Sequence, residues 1–190
     1  RDLLLEAFYE HIEEESAKEV PRGYIGASSI GDDCELKLWL QRNYPQHAAK
    51  RKAELILAAN DGHRSESLMA EYIREQIVKF PDIQLITHDE SGNQLGFSDL
   101  NGAYQGHWDG LILGLPAAPK TWHVWEHKAK NDKMYEELKK LREKYDEKEL
   151  LKVWNYLYYC QAVVYMDYSA TTRHYMTVSL AGMRKYQSVR

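Results

Sequence analysis

Two apolar runs separated by a proline-rich turn place the tightest constraint on how this chain can fold. The first, Ala103 to Leu113, contains Gly106-His-Trp-Asp-Gly-Leu-Ile-Leu-Gly114. The second is Thr121-Trp-His-Val-Trp-Glu-His-Lys128, with Leu115-Pro-Ala-Ala-Pro119 between the two as a turn. In a strand, Thr121, His123, Trp125 and His127 leave one face, while Trp122, Val124, Glu126 and Lys128 leave the other. A chain that folds back at the turn sets Asp109 beside Glu126 and keeps Lys128 on the Glu126 face.

Two carboxylates in one site suit a hard cation such as Mg²⁺, which takes oxygen ligands, lowers the pKa of a water and neutralises charge on a phosphate. Lys128 adds a positive point charge beside them. The competing interpretation is a structural Glu126–Lys128 pair, since 28% of the chain is charged. Against it, Glu126 and Lys128 interrupt an otherwise core-like strand flanked by Trp122, Val124 and Trp125, where unpaired charge is costly to bury.

With 190 residues, 44% of them hydrophobic, the chain is long enough for one domain with a substantial core, expected over 1–190 with an N-terminal packing helix. No apolar run approaches the ~18 residues of a membrane span, and no signal-peptide pattern opens the chain. A soluble, cytoplasmic protein with no membrane partner is therefore expected. Two cysteines, Cys34 and Cys160, cannot supply a four-thiolate metal site. A net charge of −4 leaves nucleic acid contact to local patches. The start without methionine and the stop at Arg190 raise the expectation of further terminal segments, a C-terminal tail among them.

The pattern of elements is α/β (α+β): a central mixed sheet of four to five strands flanked by helices. Leu3, Leu4, Ala7, Phe8 and Ile12 mark a first helix, and Ser28 to Asp33 a turn and cap before a helix through Leu36 to Leu40. Asn60-Asp-Gly62 punctuates the chain ahead of a helix reaching about Phe80, which Pro81 stops. Strands are expected at Ile83 to Thr87, Gln94 to Ser98, Ala103 to Leu113 and through Glu126, with a closing strand at Thr171 to Leu180. Helical sequence runs from Asp132 to Tyr168 with a break near Tyr145.

Two further constellations carry polar groups. In Gly62-His-Arg-Ser-Glu66, the glycine is expected to open a helix and Glu66 to reach a metal held by the sheet, although a glutamate near a helix N-terminus is also explained by the dipole. Trp154, Tyr158, Gln161, Tyr165 and Tyr168 recur at spacings of three and four, an aromatic stripe that reads first as core. Gln161 is the exception, because a glutamine on that face needs a hydrogen-bond partner.

The order Gly-x-x-x-Glu66, Asp109, Glu126-x-Lys128, Gln161-x-x-x-Tyr165 resembles the PD-(D/E)XK nuclease superfamily, and within it the RecB-like and phage exonuclease branch with lambda exonuclease and YqaJ-like recombinases. The resemblance spans Ser28 to Tyr165. It implies a restriction-endonuclease-like core and a Mg²⁺- (or Mn²⁺-) dependent deoxyribonuclease, most simply an exonuclease of recombination or repair, in the host cytoplasm if phage-encoded. It further implies that Asp109, Glu126 and Glu66 bind metal with the His127 main-chain carbonyl, that Lys128 is the catalytic lysine, and that Gln161 and Tyr165 hold DNA or the site. DNA is the implied partner, with a homo-oligomer or a recombination protein beside it. Trp108 stands where the family pattern has proline, and two cysteines cannot support the iron–sulfur cluster of some members. A catalytically silent DNA-binding or assembly module of this fold, and a structure- or site-specific endonuclease, are the alternatives.

Overall fold

The computed structural model describes residues 2–190. In chain order the elements are α1 (Leu3–Ala17), β1 (Ile25–Gly26), α2 (Glu35–Asn43), α3 (Ala53–Glu75), β2 (Gln84–Ile86), β3 (Gly96–Asp99), β4 (Tyr104–His107), β5 (Gly110–Leu113) and β6 (His123–Lys130). They continue with α4 (Asp132–Arg142), α5 (Glu147–Trp154), α6 (Tyr156–Tyr168), β7 (His174–Leu180) and β8 (Tyr186–Val189). Among the described residues the strands form two sheets, a mixed five-stranded one in the order β2-β5-β6-β7-β8 and a three-stranded one in the order β1-β4-β3. The fold is α+β.

The turn before β6 forms as its composition dictates: β5 and β6 pair antiparallel, Gly110 opposite Trp125 and Ile112 opposite His123. Gly114 leaves β5 at φ +84°, where its missing Cβ also clears the Asp82 carbonyl. β6 then pairs parallel with β7 from Val124 to Lys130, the crossover being α4, α5 and α6. Their caps are short polar side chains: Asn131, Asp146 and Asn155 accept from Met134 N, from Lys148 N and Glu149 N, and from Tyr158 N.

Apolar packing covers both faces of the large sheet. Leu138, Leu150, Leu151, Trp154 and Ala162 from α4–α6 meet Met176, Val178, Leu180 and Val189 on one face. Met69, Ala70 and Ile73 of α3 meet Ile112 and Trp125 on the other. A third cluster joins the sheets through Ala27, Trp108, Val124 and Tyr165. Gly106 makes that junction close: a Cβ there would lie 2.7 Å from both Phe97 Cε1 and Tyr165 Cε1 and 2.8 Å from Ala27 Cβ.

Four expectations need correction. Asn60-Asp-Gly62 does not open a helix; it lies inside α3, whose Ile56, Ser65, Met69, Ala70 and Ile73 form one buried stripe across it. That packing outweighs the ~1 kcal/mol an interior glycine costs. The Ala103 to Leu113 run is not one strand, because the chain changes sheets at Trp108-Asp109. The aromatic stripe spans two helices, broken where Asn155 leaves helical geometry at φ −155° to cap α6. The first helix forms and lies against α3, but its apolar residues Leu3, Leu4, Leu5 and Phe8 stay exposed; its links include Glu13 Oε1 accepting from Ala53 N and Ser16 Oγ accepting from Arg51.

Candidate active site

β5 begins only at Gly110, opposite Trp125, so β6 from Glu126 onward is paired with β7 on one side and has no ladder partner on the other. Asp109 continues the lost ladder with its side chain, Oδ2 accepting from His127 N–H at 2.6 Å. A strand residue's carbonyl leaves by the same edge as its amide, so the His127 C=O also points to this open edge. Alternation puts Glu126 and Lys128 on the α6 side, and Lys128 Nζ donates to Glu126 Oε2 at 2.7 Å.

These groups are withdrawn from water. Asp109 is 9% and Glu126 2% exposed, and Lys128 reaches solvent with 20% of its side chain. Burial first, opposed by Lys128 and reinforced by Glu66, raises the Asp109 pKa to about 7. Burial and then Asp109 raise that of Glu126 to about 8. Burial works against the Lys128 ammonium, but Glu126 and Asp109 more than offset it and hold its pKa above the ordinary lysine value. Glu66, from the middle of α3, reaches the same field: burial and Glu126 raise its pKa while Lys128 lowers it. Glu66, Asp109, Glu126 and Lys128 therefore act on one another electrostatically.

α6 closes it. Gln161 Nε2 donates to the Tyr165 hydroxyl at 3.0 Å, and both side chains are buried. Burial, then Glu126, raises the Tyr165 pKa, so its hydroxyl keeps its proton. Glu126 Oε1, Gln161 Oε1 and Trp108 Nε1 are buried without a hydrogen-bond partner. A buried polar atom without a partner costs free energy, and a hydrogen-bonding or metal partner offsets that cost.

The donor set, three carboxylates and a carbonyl, is the hard-oxygen one that suits Mg²⁺ or Mn²⁺. It is not gathered in advance: among the described residues no group of three or more His, Cys, Asp or Glu is arranged to hold a metal ion. Lys128 holds one oxygen of Glu126 and the His127 amide one oxygen of Asp109.

The His127 ring faces away from the carboxylates. Its Nδ1 lies 2.9 Å from Thr177 Oγ1 and its Nε2 3.0 Å from Ser179 Oγ, while Trp125 Nε1 donates to Thr177 at 3.0 Å. Burial lowers its pKa to about 4, so the imidazole is a neutral structural group. Sequence reasoning missed Thr177 and Ser179. The parallel register sets Thr177 beside His127, and only knowledge of that pairing could have found them. Lys130 and Tyr158, also at the site's margin, were legible as residues but not as a pair. His63 is 80% exposed, with its Nδ1 4.0 Å from Glu66 Oε2.

No family model matches the chain, and no curated protein matches it. Among solved structures, one described as "Crystal structure of SSO0001" superposes with a TM-score of 0.44 at 10% identity, covering 99% of this chain and 78% of that one. A likeness at that level lends nothing to the chemistry of the site.

Proposed function

We propose that this protein is a metal-dependent deoxyribonuclease that hydrolyses phosphodiester bonds, an exonuclease of DNA recombination or repair. The observation that carries the proposal is a buried Glu126, one oxygen unpartnered, beside a buried Asp109 at the open edge of β6. One ammonium does not balance three carboxylates there, and a divalent cation would.

Asp109, Glu126, Glu66 and the His127 carbonyl would hold Mg²⁺ or Mn²⁺, which lowers the pKa of a water and draws charge from a phosphate. Lys128 then faces the scissile phosphate with a permanent positive charge, to orient the attacking water or offset charge developing on the phosphoryl oxygens. The Gln161–Tyr165 pair holds the α6 wall, with the Tyr165 O–H left as a donor to substrate or to Glu126. β6 and α6 are rigid elements, so these groups meet substrate already oriented.

The test is digestion of end-labelled linear and of closed circular DNA with Mg²⁺, Mn²⁺ or chelator. Linear DNA should be shortened from its ends and circles spared, and Asp109→Asn, which keeps the acceptor for His127 N–H, or Glu126→Gln should abolish cleavage in protein that remains folded. Undiminished cleavage by either variant removes the proposed site. Cleaved circles would point to an endonuclease, and DNA binding without cleavage to a silent module.

A further inference from the structure

The Glu126–Lys128 face of β6 carries a second lysine, Lys130, and the two lysines share one aromatic neighbour. Lys128 Nζ lies 5.3 Å and Lys130 Nζ 4.6 Å from the centroid of the Tyr158 ring, and Lys130 Nζ also donates to the Tyr158 hydroxyl. The ring is fixed from behind. Tyr158 N–H donates to Asn155 Oδ1 at 3.1 Å, and Trp154, 5.8 Å away between centroids, is held by its Nε1 on the Met134 carbonyl.

This arrangement differs from an ion pair in one respect that matters. A carboxylate partner would orient Lys130 and cancel its charge; a tyrosine hydroxyl at the ring edge orients it and leaves the charge in place. Among the described residues Lys130 has no carboxylate partner. An oriented, half-buried, uncancelled ammonium is a site for an anion. It stands two residues, about 6.6 Å of strand, beyond Lys128.

We infer that Lys130 forms a second phosphate subsite, binding the phosphate next to the scissile one, with Tyr158 as its positioning residue. The inference rests on the proposed nuclease activity and sharpens its substrate: a polynucleotide with at least two consecutive charged phosphates. An ester with a single phosphate reaches Lys128 and the carboxylates but not Lys130.

Two substrates separate the cases, a one-phosphate ester (thymidine 5′-p-nitrophenyl phosphate) and a short oligonucleotide. Lys130→Ala should lower kcat/KM on the oligonucleotide by about tenfold, as expected for one charge-assisted contact, and leave the one-phosphate ester within about twofold. Lys130→Arg should rescue it and Tyr158→Leu should reproduce the loss. In an Asp109→Asn background, which keeps the acceptor for His127 N–H, Lys130→Ala should reduce the salt slope of oligonucleotide binding by about one. Replacing the adjacent phosphate by a neutral methylphosphonate should make the Lys130→Ala and parent affinities equal. Equal losses on both substrates would make Lys130 structural, and an unchanged oligonucleotide rate and slope would remove the subsite. Failure of the nuclease proposal looks different: the parent cleaves neither substrate, while the binding arm still reports on Lys130. A parent that binds no oligonucleotide overturns both.

Discussion

Lys128 donates to the Glu126 carboxylate, and in the proposed reaction its charge serves the substrate. Ammonium groups do not ligate cations, so Lys128→Ala should cut turnover by at least about a hundredfold while Mg²⁺ affinity, read by calorimetry, stays the same or rises as Glu126 Oε2 is freed. Collapse of metal binding with normal turnover per bound metal would assign Lys128 a structural role. His174, at the start of β7, is buried with Nε2 unpartnered, and burial followed by Lys128 and His123 lowers its pKa to about 3. The unfolded chain binds this proton near pH 6.5 and the folded chain does not. Stability from the neutral ring is thus complete above about pH 6.5 and is lost as pH falls towards 3, at up to about 1.4 kcal/mol per pH unit. His174→Leu should flatten the fall of melting temperature between pH 6.5 and 4; an unchanged slope would mean that the loss comes from other groups, the His127 ring first.

At the scale of elements, Asn155 both ends α5 and caps α6, and α6 carries Tyr158, Gln161 and Tyr165. Asn155→Ala should cost about 1 kcal/mol in urea unfolding, with a loss of activity larger than that stability change accounts for, because the helix that walls the site loses its register; an activity loss no larger than the unfolded fraction would show that the cap serves stability alone. Sequence made much of this legible. Alternation and the Pro-rich turn led to Glu126 and Lys128 on one face of a strand paired with the preceding one, and β5 and β6 do pair, Lys128 bonds Glu126 and Asp109 accepts from the neighbouring His127 amide. Three things were hidden for physical reasons. Gly62 reads as the opening of a helix because propensity is local, whereas the α3 stripe that overrides it is tertiary. The change of sheet at Trp108-Asp109 leaves no break in the apolar pattern of Ala103 to Leu113. β8 is short, four residues, and follows β7 too closely to stand out.

For the whole molecule, burial is uneven. β6 and β7 lie in the middle of the five-stranded sheet, covered by α3 on one face and α4–α6 on the other, with Val124, Trp125, Met176 and Val178 fully buried. α1 buries none of its residues. Local opening follows that contrast, so hydrogen exchange should find the β6 and β7 amides slowest, near the global unfolding limit, and those of α1 fastest. Slow exchange throughout α1 would mean that something covers its apolar side in solution. Among the described residues no helix is long and apolar enough to cross a membrane.

The passage of one continuous segment from the small sheet to the large one, at Trp108-Asp109, has a mechanical consequence. Asp109 is the joint of a lever whose arm is β4 with its neighbours β1 and β3, and its carboxylate is tied to the far side by a single link to the His127 amide. A tilt of the small sheet would be felt first at that joint. The spacing between the two carboxylates is thus set by the angle between two plates as well as by the strand that holds Glu126.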